Sequence, residues 1–278
     1  MSPADAASSG STIVNRDLVP RVLSSVVLIA IATAAAWAGG LVAACAVAAI
    51  AAVVHVEWTG VTEGRPAEAL PFTAAIVVAT IAYGLGFPAV ALGVGLLAIL
   101  AGLATGPRPW RSAGVAYALV PGLALLVLRD SPDHGLAAIA LVVGVVAATD
   151  IGAYFAGRGI GGPKLWPAVS PKKTWSGAIG GLAAGLAAGI VVAALAGFGV
   201  TLPFVGVVVV LSVVSQAGDL FESQVKRCFG AKDSGRLVPG HGGMMDRVDG
   251  LAFASVVAVA IGMGHGGVSN PAQGLVAW

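Results

Sequence analysis

The sequence predicts an all-α, polytopic integral membrane protein of about nine transmembrane helices with its N-terminus in the cytoplasm. Three observations carry that prediction. Only 10% of the 278 residues are charged and 58% are hydrophobic, whereas soluble domains carry roughly 25% charge. The charges are also bunched: no Asp, Glu, Lys or Arg occurs over 22–56, 69–107, 174–218 or 250–278, runs of 35, 39, 45 and 29 residues. A bilayer-spanning helix needs about 20 apolar residues, so the longer runs hold two spans each. Finally, once spans are laid out, almost every cation falls on one side. The pattern excludes a soluble enzyme, a disordered chain, a nucleic-acid binder and a disulfide scaffold. A β-barrel would show ten-residue segments of polar alternation, and none is found.

Breaking the runs at Gly and Pro places the spans. The first two cover 20–38 and 41–57 about Gly39-Gly40, and the next two 71–86 and 88–105 about Gly86-Phe87-Pro88. Single spans follow at 112–128 and 135–157, then a pair at 175–197 and 202–221, and a last one at 249–266. The first 19 residues read as a disordered cytoplasmic tail. With nine spans, one side receives Arg16, Arg21, Arg65, Arg108, Arg111, Arg158, Lys164, Lys172, Lys173, Lys226, Arg227, Lys232, Arg236 and Arg247, and the other Arg129 alone. Lys and Arg favour the cytoplasmic face, which sets the orientation and supports the count. Cys45 in a span and Cys228 in a basic loop form no disulfide or zinc pattern. Gly177, Gly181, Gly185 and Gly189 recur every four residues, the spacing that lets another helix approach closely.

Two acids lie where charge is costly. Asp150 sits inside an apolar span, and Asp219 near the cytoplasmic end of the eighth; intramembrane carboxylates usually face a cavity and mark function. If the helix carries on past Asp219, then Ser223 and Lys226 or Arg227 share its face. Pro239-Gly240-His241-Gly242-Gly243 then turns the backbone, and Asp246, Arg247 and Asp249 open the last span. Two helices thus bring carboxylates to one membrane-edge site among several cations. Mg²⁺ takes oxygen ligands, commonly one or two carboxylates plus substrate phosphates, while Lys and Arg neutralise the remaining phosphate charge. The pattern is that of a nucleotide site. A second loop, from Gly157 to Lys164 and on to Ser170-Pro171-Lys172-Lys173-Thr174-Trp175, is Gly-rich and then basic. Ser170 is expected to cap the seventh helix with Pro171 at its first position, and a helix N-terminus favours phosphate.

At these residues the chain resembles the phosphatidate cytidylyltransferase (CDP-diacylglycerol synthase) family. The family signature is filled at every fixed position over 27 residues by Ser223, Lys226-Arg227, Lys232-Asp233, His241-Gly242-Gly243, Asp246-Arg247 and Asp249. Upstream, Asp150, Ala153-Tyr154 and Ser170 to Trp175 also match. The resemblance is strong over about 150–265; before that only Glu57-Trp58 echoes it weakly. One departure is Ser176, where the family usually has Glu.

The resemblance implies transfer of CMP from CTP to phosphatidate, giving CDP-diacylglycerol and pyrophosphate, with dependence on Mg²⁺, a second metal ion being left open, and a homodimer. It implies the inner or plasma membrane of a bacterium, with the site on the cytoplasmic side. In its terms 20–134 is an N-terminal membrane region of five helices. The rest, 135–278, is a catalytic membrane region of four, with cytoplasmic loops 157–174 and 222–248. Asp219 and Asp246 are assigned to metal, with Asp249 and Asp150 as further ligands or lysine-orienting groups. Lys226, Arg227, His241 and Arg247 join Asp219 and Asp246 as catalytic candidates. Ser170, Lys172, Lys173, Ser223, Lys226, Arg227, Lys232, Gly242 and Gly243 are candidates for binding CTP or the lipid phosphate. Two alternatives stay open: a cytidylyltransferase or CTP-dependent kinase acting on another membrane lipid, and an ion-coupled transporter.

Overall fold

The computed structural model describes residues 30–64, 66–105, 109–235 and 242–278. The tail over 1–19, most of the first span, His241 and five of the cations assigned above (Arg16, Arg21, Arg65, Arg108 and Arg236) lie outside the described residues. The elements are α1 (described over 30–38), α2 (Gly40–Thr62), a 3₁₀ turn (Pro66–Ala69), α3 (Leu70–Gly84), α4 (Pro88–Thr105), α5 (Trp110–Arg129), α6 (Gly135–Gly159), β1 (Lys164–Trp166), β2 (Ser170–Thr174), α7 (Trp175–Ala196), α8 (Leu202–Cys228), α9 (Met245–Gly266) and α10 (Pro271–Val276). The protein is an all-α polytopic membrane protein that carries, among the described residues, one two-stranded ribbon.

Among the described residues seven helices are long and apolar enough to cross a membrane, namely α2 and α4 to α9. The other two of the expected nine spans are α1 and α3. The first span is described only in part, and α3, at 15 residues, rises about 22 Å against a hydrocarbon core of roughly 30 Å. The 3₁₀ turn takes up its N-terminal side, and Gly86, at φ 85°, ends the segment in a conformation open to glycine. The up-and-down alternation nevertheless survives. At one end Arg111 of α5 pairs with Glu63 after α2 (2.5 Å) and with Glu68 of the 3₁₀ turn (2.7 Å), and donates to the Thr105 carbonyl at the end of α4 (3.1 Å). At the other end Arg129 of α5 donates to the Ala36 and Trp37 carbonyls of α1, while Asp130 accepts from the Gly40 N–H (3.1 Å). Arg129 therefore stands apart from the other described cations, as the charge pattern requires.

Helix ends differ from expectation where charge begins. α2 runs to Thr62 instead of 57, α8 to Cys228 instead of 221, and α9 starts at Met245 instead of 249. Interfacial turns can be polar without leaving the helix, so charge marks the water boundary and not the helix boundary. Ser170 is not the cap of α7. It is the first residue of β2, paired across the ribbon with Trp166, and the edges of a two-stranded ribbon tolerate Pro171. Thr174 caps α7 instead, its Oγ1 accepting from the Gly177 N–H at 3.1 Å.

Two apolar clusters hold the bundle. One joins Leu141, Val145, Phe204, Leu211 and Ala254 of α6, α8 and α9. The other joins Val54, Trp58, Ile76 and Val115 of α2, α3 and α5 to Val225 and Met245 beside the site. The glycine stripe of α7 is buried inside the chain. A Cβ on Gly181 would stand 2.7 Å from the Thr149 carbonyl of α6, and one on Gly189 2.7 Å from Val208 of α8. Such overpacking costs about 1–3 kcal/mol. We expect Gly181→Val to lower the unfolding midpoint in detergent, read by intrinsic fluorescence, while Gly206→Ala, which has open space around it, leaves it unchanged. Equal behaviour of the two would contradict this packing.

Candidate active site

The first half of the site forms where α6 and α7 meet. Gly157 and Gly177 let the two helices touch: a Cβ on Gly157 would come within 3.4 Å of the Gly177 Cα. The segment between them must then fold back over the helix ends, as the β1–β2 ribbon. Ser176 fixes it there, its Oγ donating to the Gly161 carbonyl and lying 3.0 Å from Thr174 Oγ1. Where the resembled family usually carries Glu, this chain thus has a small hydroxyl that closes the loop.

Under the ribbon lies a cavity of about 620 Å³ lined by α6, the ribbon, α7 and α8, within the range usual for small-ligand sites. Arg158, Lys164, Lys172 and Lys173 line it together with Asp150, Asp219 and Gln216. Lys173 pairs with Asp219 at 2.5 Å, and Ser223 Oγ donates to the other Asp219 oxygen at 3.4 Å. The continued α8 therefore does present Asp219 and Ser223 together. Arg158 donates to the Tyr154 hydroxyl at 3.0 Å.

The second half joins α8 to α9. Lys226 Nζ lies 2.7 Å from Glu222 and 2.5 Å from Asp246. The other Asp246 oxygen accepts from the Gly243 N–H (3.1 Å) and the Ser234 N–H (3.3 Å). Both of its oxygens are thus engaged by the protein. Gly242, at φ 80° with its Cβ position 3.2 Å from Asp246 Oδ2, takes a turn conformation that favours glycine. Glu57 of α2 enters the same loop, accepting from the N–H groups of Met244 (3.0 Å) and Met245 (2.8 Å).

Gly218 links the halves. A Cβ there would stand 2.6 Å from the Asp249 carbonyl, so its absence lets α9 come against α8 one residue from Asp219. Asp150, Asp219 and Asp249 consequently fall within mutual electrostatic range around the Lys173 ammonium. Asp249 also accepts from the Gly250 N–H at 2.7 Å. Among the described residues no group of three His, Cys, Asp or Glu side chains forms a metal cage. Mg²⁺ does not need one, since it keeps waters, shares substrate phosphates and commonly takes only one or two carboxylates; Asp219, paired with Lys173 at the cavity, fits that requirement.

Of the expected site residues, Lys172, Lys173, Asp150 and Asp219 meet at the cavity, Ser223 touches Asp219, and Lys226, Asp246, Gly242 and Gly243 form the second network. Arg227 is exposed and donates to the Ala231 carbonyl (3.3 Å). Lys232 and Arg247 are also exposed, and Ser170 lies at the ribbon's turn. Glu57, Glu222 and Ser234 were missed. Glu222 had a local signal, its i,i+4 spacing to Lys226; the place of Glu57 depends on a contact across 188 residues.

The sequence model described as the cytidylyltransferase family matches residues 19–263. The chain belongs to that family. It is similar to the phosphatidate cytidylyltransferase of Brucella suis biovar 1 (strain 1330), 53% identical over 159 residues, covering 56% of this chain and 57% of the relative. It is 43% identical over 133 residues to that of Staphylococcus saprophyticus subsp. saprophyticus (strain ATCC 15305 / DSM 20229 / NCIMB 8711 / NCTC 7292 / S-41), covering 48% and 51%. With that of Staphylococcus aureus (strain COL) it shares 41% over 140 residues, covering 50% and 53%. The matched stretches thus span little more than half of each relative's length.

Removing one partner of a buried ion pair is strongly destabilising, by about 3–5 kcal/mol. Glu222 is 1% exposed, so Lys226→Met leaves two carboxylates uncompensated. We expect a clearly lowered unfolding midpoint in that variant and partial recovery in Lys226→Met/Glu222→Gln; additive losses in the double variant would contradict the pairing.

Proposed function

We propose that this chain transfers CMP from CTP to phosphatidate. The observation that carries the reading is the cavity under the ribbon, where four cations stand opposite carboxylates at the end of a membrane bundle. Triphosphate and lipid phosphate both need cationic partners, and a hydrolytic pocket or an ion pathway needs no such excess. The flanks of the cavity on α6 and α7 carry exposed Ile151, Phe155 and Ile179, surfaces that suit acyl chains beside a headgroup held at the polar end. Family membership and the names of the relatives point to the same reaction.

In this mechanism a phosphatidate phosphate oxygen attacks the α-phosphorus of CTP. The bond to the bridging oxygen of the β-phosphate breaks, and pyrophosphate leaves with that oxygen. The nucleophile is already ionised, so the chain's task is positioning and charge stabilisation. Lys172, Lys173, Lys164 and Arg158 hold phosphate oxygens in line. Asp219, with Asp249 and Asp150, would hold Mg²⁺, which when bound neutralises charge developing on the phosphates. Binding of CTP would draw Lys173 from Asp219 to phosphate and free that carboxylate. Lys226 and Asp246 keep α8 and α9 in register, and Asp246 reaches metal only by exchanging its present partners. Arg227, Lys232, Arg247 and His241 stand nearest in sequence for contacts with the outer phosphates. The far end holds Arg129 and the site end the other described cations, which supports a cytoplasmic site. A homodimer would have to use a face other than the glycine stripe, which is consumed within the chain.

The test uses purified protein with Mg²⁺, phosphatidate and CTP labelled at either the α- or the γ-phosphorus. Label from the α position is expected in the lipid extract and label from the γ position in water. γ-Label in lipid would show a kinase instead, and no label in lipid would overturn the reading. Asp219→Ala is expected to reduce turnover on the order of 100-fold or more.

A further inference from the structure

Glu57 has no part in the chemistry above, yet it is among the most completely engaged side chains of the molecule. It is 4% exposed, and it reaches from α2 to the start of α9. Helix α9 supplies no side-chain cap of its own, so its first N–H groups need partners from elsewhere. Glu57 provides them: Oε1 accepts from Met244 N–H at 3.0 Å, Oε2 from Met245 N–H at 2.8 Å, and Oε2 also from Ser234 Oγ at 3.3 Å. A carboxylate is the right group for this place, because the helix N-terminus carries partial positive charge.

The fit is specific to this side chain. A Cβ on Gly235 would lie 2.6 Å from Glu57 Oε1, and one on Gly243 2.7 Å from Oε2. Two loop segments close around one carboxylate because neither has a side chain there. The same segments are gripped from the other side by Asp246, which accepts from Gly243 N–H and Ser234 N–H. The α2 helix is itself registered against α5 and α8: Trp58 donates to the Trp110 carbonyl at 2.9 Å, lies tilted against Tyr117 at 4.9 Å and stacks on Phe221 at 6.5 Å.

We infer that Glu57 is a positioning residue that caps α9 from α2 and so sets where Asp246 and Asp249 stand for the reaction. The N-terminal helices are then part of the active-site scaffold. This inference rests on the cytidylyl-transfer reading for its kinetic consequence, but its structural content does not.

The test uses the full chain in lipid nanodiscs and the variants Glu57→Gln and Glu57→Ala, with Glu63→Gln as control. The Glu63 side chain is 2% exposed at the same end of the bundle but faces Arg111. Amide hydrogen exchange is followed over 242–248, and kcat and KM for CTP are measured on the folded fraction. In Glu57→Gln, exchange at Met244 and Met245 is expected to quicken on the order of tenfold or more. Its kcat is expected to fall on the order of 10- to 100-fold, as misplacement without lost contacts does, with KM for CTP little changed. Glu63→Gln should alter neither exchange over 242–248 nor kcat. Unchanged exchange in both Glu57 variants, or a loss of turnover that only tracks the folded fraction, would overturn the inference. A wild-type protein without cytidylyl transfer would overturn the function reading and the kinetic consequence together, while the exchange measurement would still decide the cap.

Discussion

Lys226 joins the fold to the site. Its ammonium lies between Glu222 of its own helix and Asp246 of the next, and Glu222 is almost wholly withdrawn from solvent. Charges in such a place are tolerated only when paired, so the pairing dictates how α9 meets α8. Everything around it follows from that register. Gly218 faces Asp249, Asp219 comes opposite the same turn of α9, and the loop between the helices is drawn onto Asp246. A membrane protein cannot scatter such groups along its helices. Confinement to one end is what makes a dense ionic site possible in a chain with so few charges.

The other half of the site is made by the lack of side chains. Gly157 and Gly177 bring α6 and α7 into contact, which leaves the connecting residues no course except over the helix ends. The ribbon that results carries Lys164, Lys172 and Lys173 to the cavity and faces them with Asp150 and Asp219. Close packing of small residues is the ordinary means of helix association in a bilayer; here it also positions cations over a cavity.

Much of this was legible in the sequence. The uncharged runs located the helices, and Gly86 and Gly197 marked breaks that the structure keeps. The lone Arg129 anticipated an end of the bundle separate from the site. The spacing of Asp219, Ser223 and Lys226 anticipated one helical face, since those offsets depend only on local geometry. What was not legible depended on contacts between distant segments. Ser170-Pro171 has the local form of a helix start, but pairing with Lys164–Trp166 makes it a strand and hands the cap to Thr174. Asp246 looked like a free carboxylate because neither the Ser234 N–H nor Lys226 can be seen converging on it in one dimension. Glu57 gave only a weak family echo at the end of an apolar run, because α9, which begins against it, lies 188 residues further along the chain.

The central claim is that the cations and carboxylates at this end assemble a site for a nucleoside triphosphate with its divalent cation, with Lys173 as the group that turns from Asp219 to phosphate. Equilibrium binding of CTP to the nanodisc-embedded protein, with and without Mg²⁺ and in the Lys173→Met variant, tests it most directly. The account predicts saturable binding that strengthens with Mg²⁺ and is weakened severely in the variant. Binding indifferent to both Mg²⁺ and Lys173 would contradict it.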